Sequence, residues 1–356
     1  MSIVFDNIAF NLQRAGGISR FWSKIIDPYK SSPDARFIEH VGGGENIYRR
    51  QMALSASLQD HRLPVWIARY LNFSRRFFKE GFVFHSSYFR VNSAPGCANI
   101  TTVHDLIYEK FGGRLGSPLH VIQKKTALRK SDCIVCVSDY TRKDLLEYYP
   151  FCSDKRVIVI PNGVDGFYPF HVDADLFHRL NLKDDGSYFL YVGHRGSCKG
   201  FALIHDALDL LEGALQCVVV GSPFNQAELT EISKRGHQSK ILHAGKVNDS
   251  ELNCLYSHAR FFFFPSLYEG FGIPPLEAMM SGCPVLASNR SSVPEVVNDA
   301  GVLFDPSDLG TLKNGLLRIL QAEARKDLIS RGLERASRFS WRSVVERYAT
   351  LYSEFH

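Results

Sequence analysis

The sequence is poor in long hydrophobic runs. No window approaches the ~18 uncharged apolar residues of a membrane-spanning helix, and the run Phe261-Phe262-Phe263-Phe264 stops at Pro265. The start, Met1-Ser2-Ile3-Val4-Phe5-Asp6, has neither a positive leader region nor a continuous apolar stretch, so no signal peptide is expected. The expected location is the cytoplasm, at most peripheral on the inner face of the cell membrane. Charge of one sign is also scarce: Lys plus Arg number 42 and Asp plus Glu 37, an excess of 42 − 37 = 5. That fits a phosphate-bearing ligand but lacks the dense basic stripe that nucleic acid requires. The eight cysteines are scattered, and the one C-x-x-C, Cys133 with Cys136, has no second pair to complete a zinc site. Its setting, Asp132-Cys-Ile-Val-Cys-Val137, is that of a strand, where residues three apart face opposite sides; a redox or metal role is not expected. Internal repeats and low-complexity tracts are absent.

The composition is that of a chain folded throughout: 45% apolar and 22% charged residues. Its 356 residues exceed what one compact core usually organises, which implies two domains. Short apolar runs alternate with amphipathic stretches in both halves, so the class is α/β with parallel sheets. Strands are expected at 2–5, 83–85, 100–103, 133–137 and 157–160, and again at 188–192, 216–220, 241–244, 261–265 and 284–287. Pro161-Asn162-Gly163 is turn chemistry, and a polar linker with a short helix follows through Asp184-Asp185-Gly186. The expected domains are 1–168 and 169–338, with a helix over 339–356. In that helix the apolar positions 341, 344, 345, 348, 351 and 352 form one stripe.

The most informative stretch is Phe264-Pro-Ser-Leu-Tyr-Glu-Gly-Phe-Gly-Ile-Pro-Pro-Leu-Glu277. A strand runs into a loop holding Glu269, Gly270, Phe271 and Gly272. A helix then opens at Pro274-Pro275, since proline is tolerated in a first turn. A glycine-rich loop at a helix start presents backbone N–H groups to phosphate or sugar oxygens. Glu269 belongs to the loop and Glu277 to the end of the first helical turn, so two carboxylates can each accept from a diol of one extended ligand. A purely structural reading also accommodates these residues: glycine for a turn, proline for a helix start, glutamate for the helix dipole.

The whole run, with Ser281-Gly-Cys-Pro-Val-Leu-Ala-Ser288 and Ser292-Val-Pro-Glu-Val296 after it, resembles the donor-site signature of family 4 retaining glycosyltransferases. The resemblance implies the GT-B fold: two Rossmann-like domains facing a central cleft, an acceptor-side domain first and a nucleotide-sugar domain second, and a C-terminal helix crossing back to the first. It implies that Glu269 contacts the donor sugar, that Gly270, Phe271 and Gly272 lie by sugar and phosphate, and that Glu277 binds the ribose. A second matching block, Tyr191-Val-Gly-His-Arg-Gly-Ser-Cys-Lys-Gly200, supplies Arg195 and Lys199 to a diphosphate that gains charge as it leaves. Val247, after the expected strand 241–244, joins the nucleotide-binding set. In the first half, Gly16 and Gly17 of Gln13-x-x-Gly-Gly-Ile-Ser-Arg20 match a Gly-Gly loop, and His104 of Thr102-Val-His-Asp105 is expected to face donor sugar and acceptor at the carboxyl end of a strand. Phe84-His85-Ser86-Ser87-Tyr88 ends a strand at the same edge, towards the acceptor. The match extends through Ser131 to Ser138, Pro161 to Asp165 and the Phe339-Ser-Trp341 start of the last helix; only 30–80 resists it.

Asp173-Ala-Asp175 has the form of a metal motif but lacks the apolar strand that should precede it, and reads as linker. Arg62 to Lys79 mixes basic and aromatic residues, as an interfacial helix on an anionic membrane would; an ordinary helix packing its aromatic face on the domain is the preferred reading. Transfer is expected to be metal-independent and to need no cofactor beyond a nucleotide diphosphate sugar, with a saccharide or lipid-linked saccharide as acceptor. The branch most resembled builds bacterial surface polysaccharide with mannose, so GDP-mannose is the first donor expected. UDP-glucose, UDP-N-acetylglucosamine and dTDP-rhamnose remain open, as do an epimerase, a phosphorylase and a non-catalytic binding protein.

Overall fold

The computed structural model describes residues 2–40, 45–54, 57–60, 63–112, 118–170, 172–183 and 186–355. They divide into two compact units, Met1–Asn162 with Trp341–His356, and Gly163–Ser340. The first division falls at 162 rather than 168 because the intervening residues pack into the second unit. Val164 N–H donates to the Phe339 carbonyl (2.7 Å), Phe167 sits edge-on to Tyr256, and Tyr168 N–H donates to Asn253 Oδ1. The closing helix starts at Trp341, not 339.

The first unit is built on β1 (Ile3–Asp6), β2 (Ala35–His40), β3 (Ser57–Asp60), β4 (Phe82–Ser86), β5 (Cys97–Val103), β6 (Cys133–Cys136) and β7 (Arg156–Val159). All pair in parallel in the order β3-β2-β1-β4-β5-β6-β7. Parallel strands are covered on both faces, which is why β1, β4 and β6 read as nearly unbroken apolar runs. Strand β2 escaped the sequence reading because Arg36 and Glu39 interrupt its run, and β3 because Ser57-Leu-Gln-Asp60 carries one apolar residue. On one face Phe5, Phe37 and Ile100 pack with Trp22 of helix Gly17–Ile26 and with Trp341, Tyr348 and Tyr352 of helix Trp341–Ser353. The last helix thus belongs to the core of the first unit. Cys133 faces this cluster and Cys136 the opposite one, as strand alternation demands. Both are free thiols, and burial pushes the Cys133 thiol up to about 11.

The second unit carries β8 (Tyr188–Val192), β9 (Gln216–Val220), β10 (Ile241–Gly245), β11 (Phe262–Phe264), β12 (Val285–Ser288) and β13 (Val302–Phe304). They too are parallel, in the order β10-β9-β8-β11-β12-β13. Three-residue β13 was not anticipated; it is too short for a periodic signal.

Two further expectations change. The segment 62–79 is not one helix. Arg62 lies outside the described residues, helix Val65–Ala68 is one turn long, and Phe73, Phe77 and Phe78 turn inward onto Phe82 and Phe84. Phe73 N–H is taken by the Val91 carbonyl, which pulls the chain out of helical geometry. Asp173 caps helix Ala174–Arg179 by accepting from Leu176 N–H, so the Asp-x-Asp is a helix start; Asp184 and Asp185 lie outside the described residues.

Under the last helix, His85 is wholly buried between the Tyr352 hydroxyl (Nδ1, 2.6 Å) and the Thr102 hydroxyl (Nε2, 3.0 Å). Desolvation, and next the nearby His104, lower its pKa to about 3. A depressed pKa means that the unfolded chain binds the proton first. Stability is therefore complete above the ordinary histidine pKa of about 6.5 and is lost as pH falls from there towards 3. Thermal melts between pH 7.5 and 4 should show a falling melting temperature, with a shallower fall in His85→Gln; identical slopes would contradict the buried neutral imidazole.

Candidate active site

Open parallel sheets bind ligands outside the carboxyl ends of their strands, where the strand order reverses. In the second unit that point lies between β8 and β11. The loop after β8 carries Lys199 and the loop after β11 carries Glu269. They meet there: Lys199 Nζ is 2.7 Å from Glu269 Oε1, with side chains 29% and 15% exposed. Sequence reading placed both in the site without placing them in contact. The two loops are laced by backbone, since Leu267 N–H donates to the Cys198 carbonyl (2.8 Å). At Gly200, φ is +65°, and a Cβ there would lie 2.1 Å from the Pro265 carbonyl oxygen. Only glycine allows the loops to approach this closely.

The carboxylate is held by more than the lysine. Ser266 Oγ donates to the same Glu269 Oε1 (2.7 Å), and Glu269 N–H donates to Ser291 Oγ (2.8 Å). Ser292 Oγ, fully buried, reaches the Glu269 and Phe271 carbonyls at 3.0 and 2.7 Å. Ser291 adopts φ +51°, a conformation rare for a residue with a side chain. Three hydroxyls therefore fix the loop around Glu269. The sequence reading gave them no role; for Ser291 and Ser292 the signal available was the polar cluster Asn289-Arg-Ser-Ser292 directly after an apolar strand.

Gly272, at φ +118°, caps helix Ile273–Met280. Pro274 and Pro275 carry no N–H, so this helix start offers fewer amide donors than its position promises. Glu277 lies in the second turn rather than the first because the helix opens at Ile273. It is 6% exposed, with the Tyr256 hydroxyl 3.5 Å from Oε2. Phe271 points into the interior, edge-on to Phe339; only its backbone faces the loop. Val247 follows β10, two strands from the switch point, and is half-buried.

Arg195 is already engaged. Its Nε and Nη2 bind Glu228 at 2.9 and 3.1 Å, Nη2 also donates to the Pro223 carbonyl, and Phe201 and Phe224 lie against the guanidinium. Burial works to raise the Glu228 carboxyl, but the hydrogen bonds from Arg195 and from the Asn225 amide, with the Arg195 charge behind them, hold it below the usual range. Nη1 alone is buried without a hydrogen-bond partner.

The first unit brings its own residues to its sheet edge. Gly16 caps helix Gly17–Ile26 beside Gln13, and a Cβ added at Gly17 would meet nothing within 4 Å. His104 follows β5 and lies edge-on to Phe21 (4.8 Å). Desolvation lowers its pKa to about 4, with Asp105 and Lys124 acting in opposite directions. It is a neutral imidazole at neutral pH.

Two family models match the chain side by side: Glycosyltransferase Family 4 over residues 37–166 and Glycosyl transferases group 1 over 173–335. The chain belongs to the family 4 glycosyltransferases. It is 32% identical over 236 residues to O-antigen chain mannosyltransferase B of Escherichia coli, a match covering 64% of this chain and 61% of that relative. Among solved structures it is similar to sucrose-phosphate synthase from Thermosynechococcus elongatus (TM-score 0.76, 20% identity, 99% and 98% of the two chains). It is also similar to Anabaena HepE in complex with UDP and glucose (TM-score 0.75, 16% identity, 99% and 100%). These neighbours show the same GT-B fold. Among the described residues no helix is long and apolar enough to cross a membrane.

Gly200→Ala should force the β8 and β11 loops apart at the Lys199–Glu269 contact. The expected cost is about 1–3 kcal/mol of stability in urea denaturation, with loss of activity beyond what the remaining folded fraction explains. A variant with wild-type stability and activity would show that the close approach is dispensable.

Proposed function

We propose that the chain is a retaining hexosyltransferase, with mannose from GDP-mannose as the first donor and a glycan or lipid-linked saccharide of a surface polysaccharide as acceptor. The observation that carries this reading is the Lys199–Glu269 contact at the switch point of the second sheet. Mannose rests on the O-antigen mannosyltransferase relative. That relative is matched over only part of its length, and the UDP held by HepE supports a nucleotide sugar without choosing the base.

In this reading Lys199 exchanges its bond to Glu269 for the donor diphosphate and neutralises charge that grows on the leaving group. Released from the ammonium, Glu269 accepts from donor-sugar hydroxyls, while Ser266, Ser291 and Ser292 keep it in place. Glu277 takes the ribose diol, with Val247 and the backbone of Gly270, Phe271 and Gly272 beside the nucleotide. Arg195 contributes through Nη1. The bond from the donor sugar's anomeric carbon to the diphosphate oxygen breaks as the acceptor hydroxyl bonds to that carbon on the same face, and the acceptor proton passes to an oxygen of the departing diphosphate. Neutral His104 orients hydroxyls, and Gly16 and Gly17 let backbone approach the ligand. With Lys199 and loop amides serving the diphosphate, we propose that no bound metal is required. The reading includes a cytoplasmic enzyme in peripheral contact with an anionic membrane through exposed Leu63, Trp66 and Leu71 beside the basic residues of 62–79.

A thermal-shift panel of GDP, UDP and dTDP with their sugars, in chelator, tests the reading, because a ligand of the native state raises the melting temperature. GDP and GDP-mannose should stabilise the wild type but not Lys199→Ala. Stabilisation by UDP or dTDP instead would remove mannose and keep the site; stabilisation by none would sink the transferase reading. Product anomeric configuration by proton NMR decides retention.

A further inference from the structure

The carboxyl edge of the first sheet holds a group of aromatic rings that the donor chemistry leaves unused. Tyr88 and Phe89 follow β4, Tyr108 lies in the one-turn helix Ile107–Lys110 after β5, and His120 belongs to helix Pro118–Lys130. The His120 ring is centred 4.4 Å from Tyr108, 5.4 Å from Phe89 and 5.6 Å from Tyr88. Its Nδ1 is 2.6 Å from the Tyr88 hydroxyl. The segment that carries Tyr108 is braced from below: buried Lys124 donates to the Asp105 carbonyl at 3.2 Å and to Glu109 Oε2 at 2.9 Å.

Two polar atoms of this group have no hydrogen-bond partner among the described residues, His120 Nε2 and the Tyr108 hydroxyl. The Tyr108 side chain is half-buried and His120 is 6% exposed. Burial first, and Lys124 next, lower the His120 pKa to about 4, and burial raises that of Tyr88 to about 12. Both groups are therefore neutral at pH 7. In the tautomer in which the Tyr88 hydroxyl donates to Nδ1, the imidazole proton sits on Nε2 and is free to donate. The site offers an aromatic face, one N–H donor and one hydroxyl, all uncharged.

That is the chemistry of a neutral pyranose: aliphatic C–H groups on one face of the ring and hydroxyls at its edge. We infer that Tyr108 and His120, braced by Tyr88, form a subsite for one pyranose ring of the acceptor saccharide. The ring packs on Tyr108, and its hydroxyls bond His120 Nε2–H and the Tyr108 hydroxyl. The subsite rests on the transferase reading for its place in the reaction, but not for its ability to bind sugar.

Saturation-transfer NMR on the full chain tests it, with the methyl pyranosides of mannose, glucose, galactose and N-acetylglucosamine, and guanosine as the competing planar ligand. At least one pyranoside should receive saturation, strongest on ring C–H protons. Tyr108→Ala and His120→Ala should weaken that signal by roughly three- to tenfold, the worth of one aromatic contact or hydrogen bond; Tyr108→Phe should keep most of it. Stabilisation by GDP, measured on the same samples, should be unchanged, which certifies that each variant is folded. An undiminished pyranoside signal in Tyr108→Ala, no signal with any pyranoside on the wild type, or a Tyr108-dependent guanosine signal in place of the sugar's would each overturn the inference. If GDP stabilises not even the wild type, the transferase reading falls; circular dichroism then certifies folding, and the sugar spectra alone decide the subsite.

Discussion

The contact between Lys199 Nζ and Glu269 Oε1 is the interaction around which the second unit is arranged. Two opposite charges at the mouth of a sheet are each other's counter-ions while no ligand is bound. Partial exposure lets solvent screen the pair, so it adds little to stability. Its consequence is position. In the proposed function a diphosphate would compete for the lysine with several oxygens against one, and by taking it would free the carboxylate for the sugar, so that donor binding and the arming of Glu269 would be one event.

That economy demands rigid loops. Gly200 removes the side chain that would hold the β8 and β11 loops apart, and the Leu267–Cys198 backbone bond fixes their spacing. Ser291 accepts the Glu269 amide while Ser292 serves the carbonyls of Glu269 and Phe271. A buried hydroxyl serving backbone groups is costly to remove, since unsatisfied polar groups in the interior cost about 1–3 kcal/mol each. Ser291 pays for its place with strained backbone, a pattern found where geometry serves chemistry.

The α/β class was legible because buried parallel strands are apolar along their length, as at Phe262-Phe-Phe264 and Cys217-Val-Val-Val220. Strand β2 was not, because Arg36 and Glu39 break its run, nor was the inward turn of Phe73, Phe77 and Phe78, which depends on a long-range bond from Phe73 to Val91. Within the site, Lys199 and Glu269 could be named from their motifs. Their contact could not, since strand order is not written in local sequence. Arg195 shows the same limit in sharper form: its motif promises a phosphate ligand, while its partner Glu228 lies 33 positions away and occupies most of the guanidinium. Ser291 and Ser292 were visible in a polar cluster, but only the folded loop shows which backbone groups they serve.

The central claim is that Lys199 changes partners when the donor binds. A crystal structure of the chain with GDP tests this most directly. The account predicts the diphosphate within hydrogen-bond reach of Lys199 Nζ, the lysine parted from Glu269, and the ribose beside Glu277. Nucleotide bound away from the β8–β11 edge, or at that edge with the Lys199–Glu269 pair still closed, would contradict it.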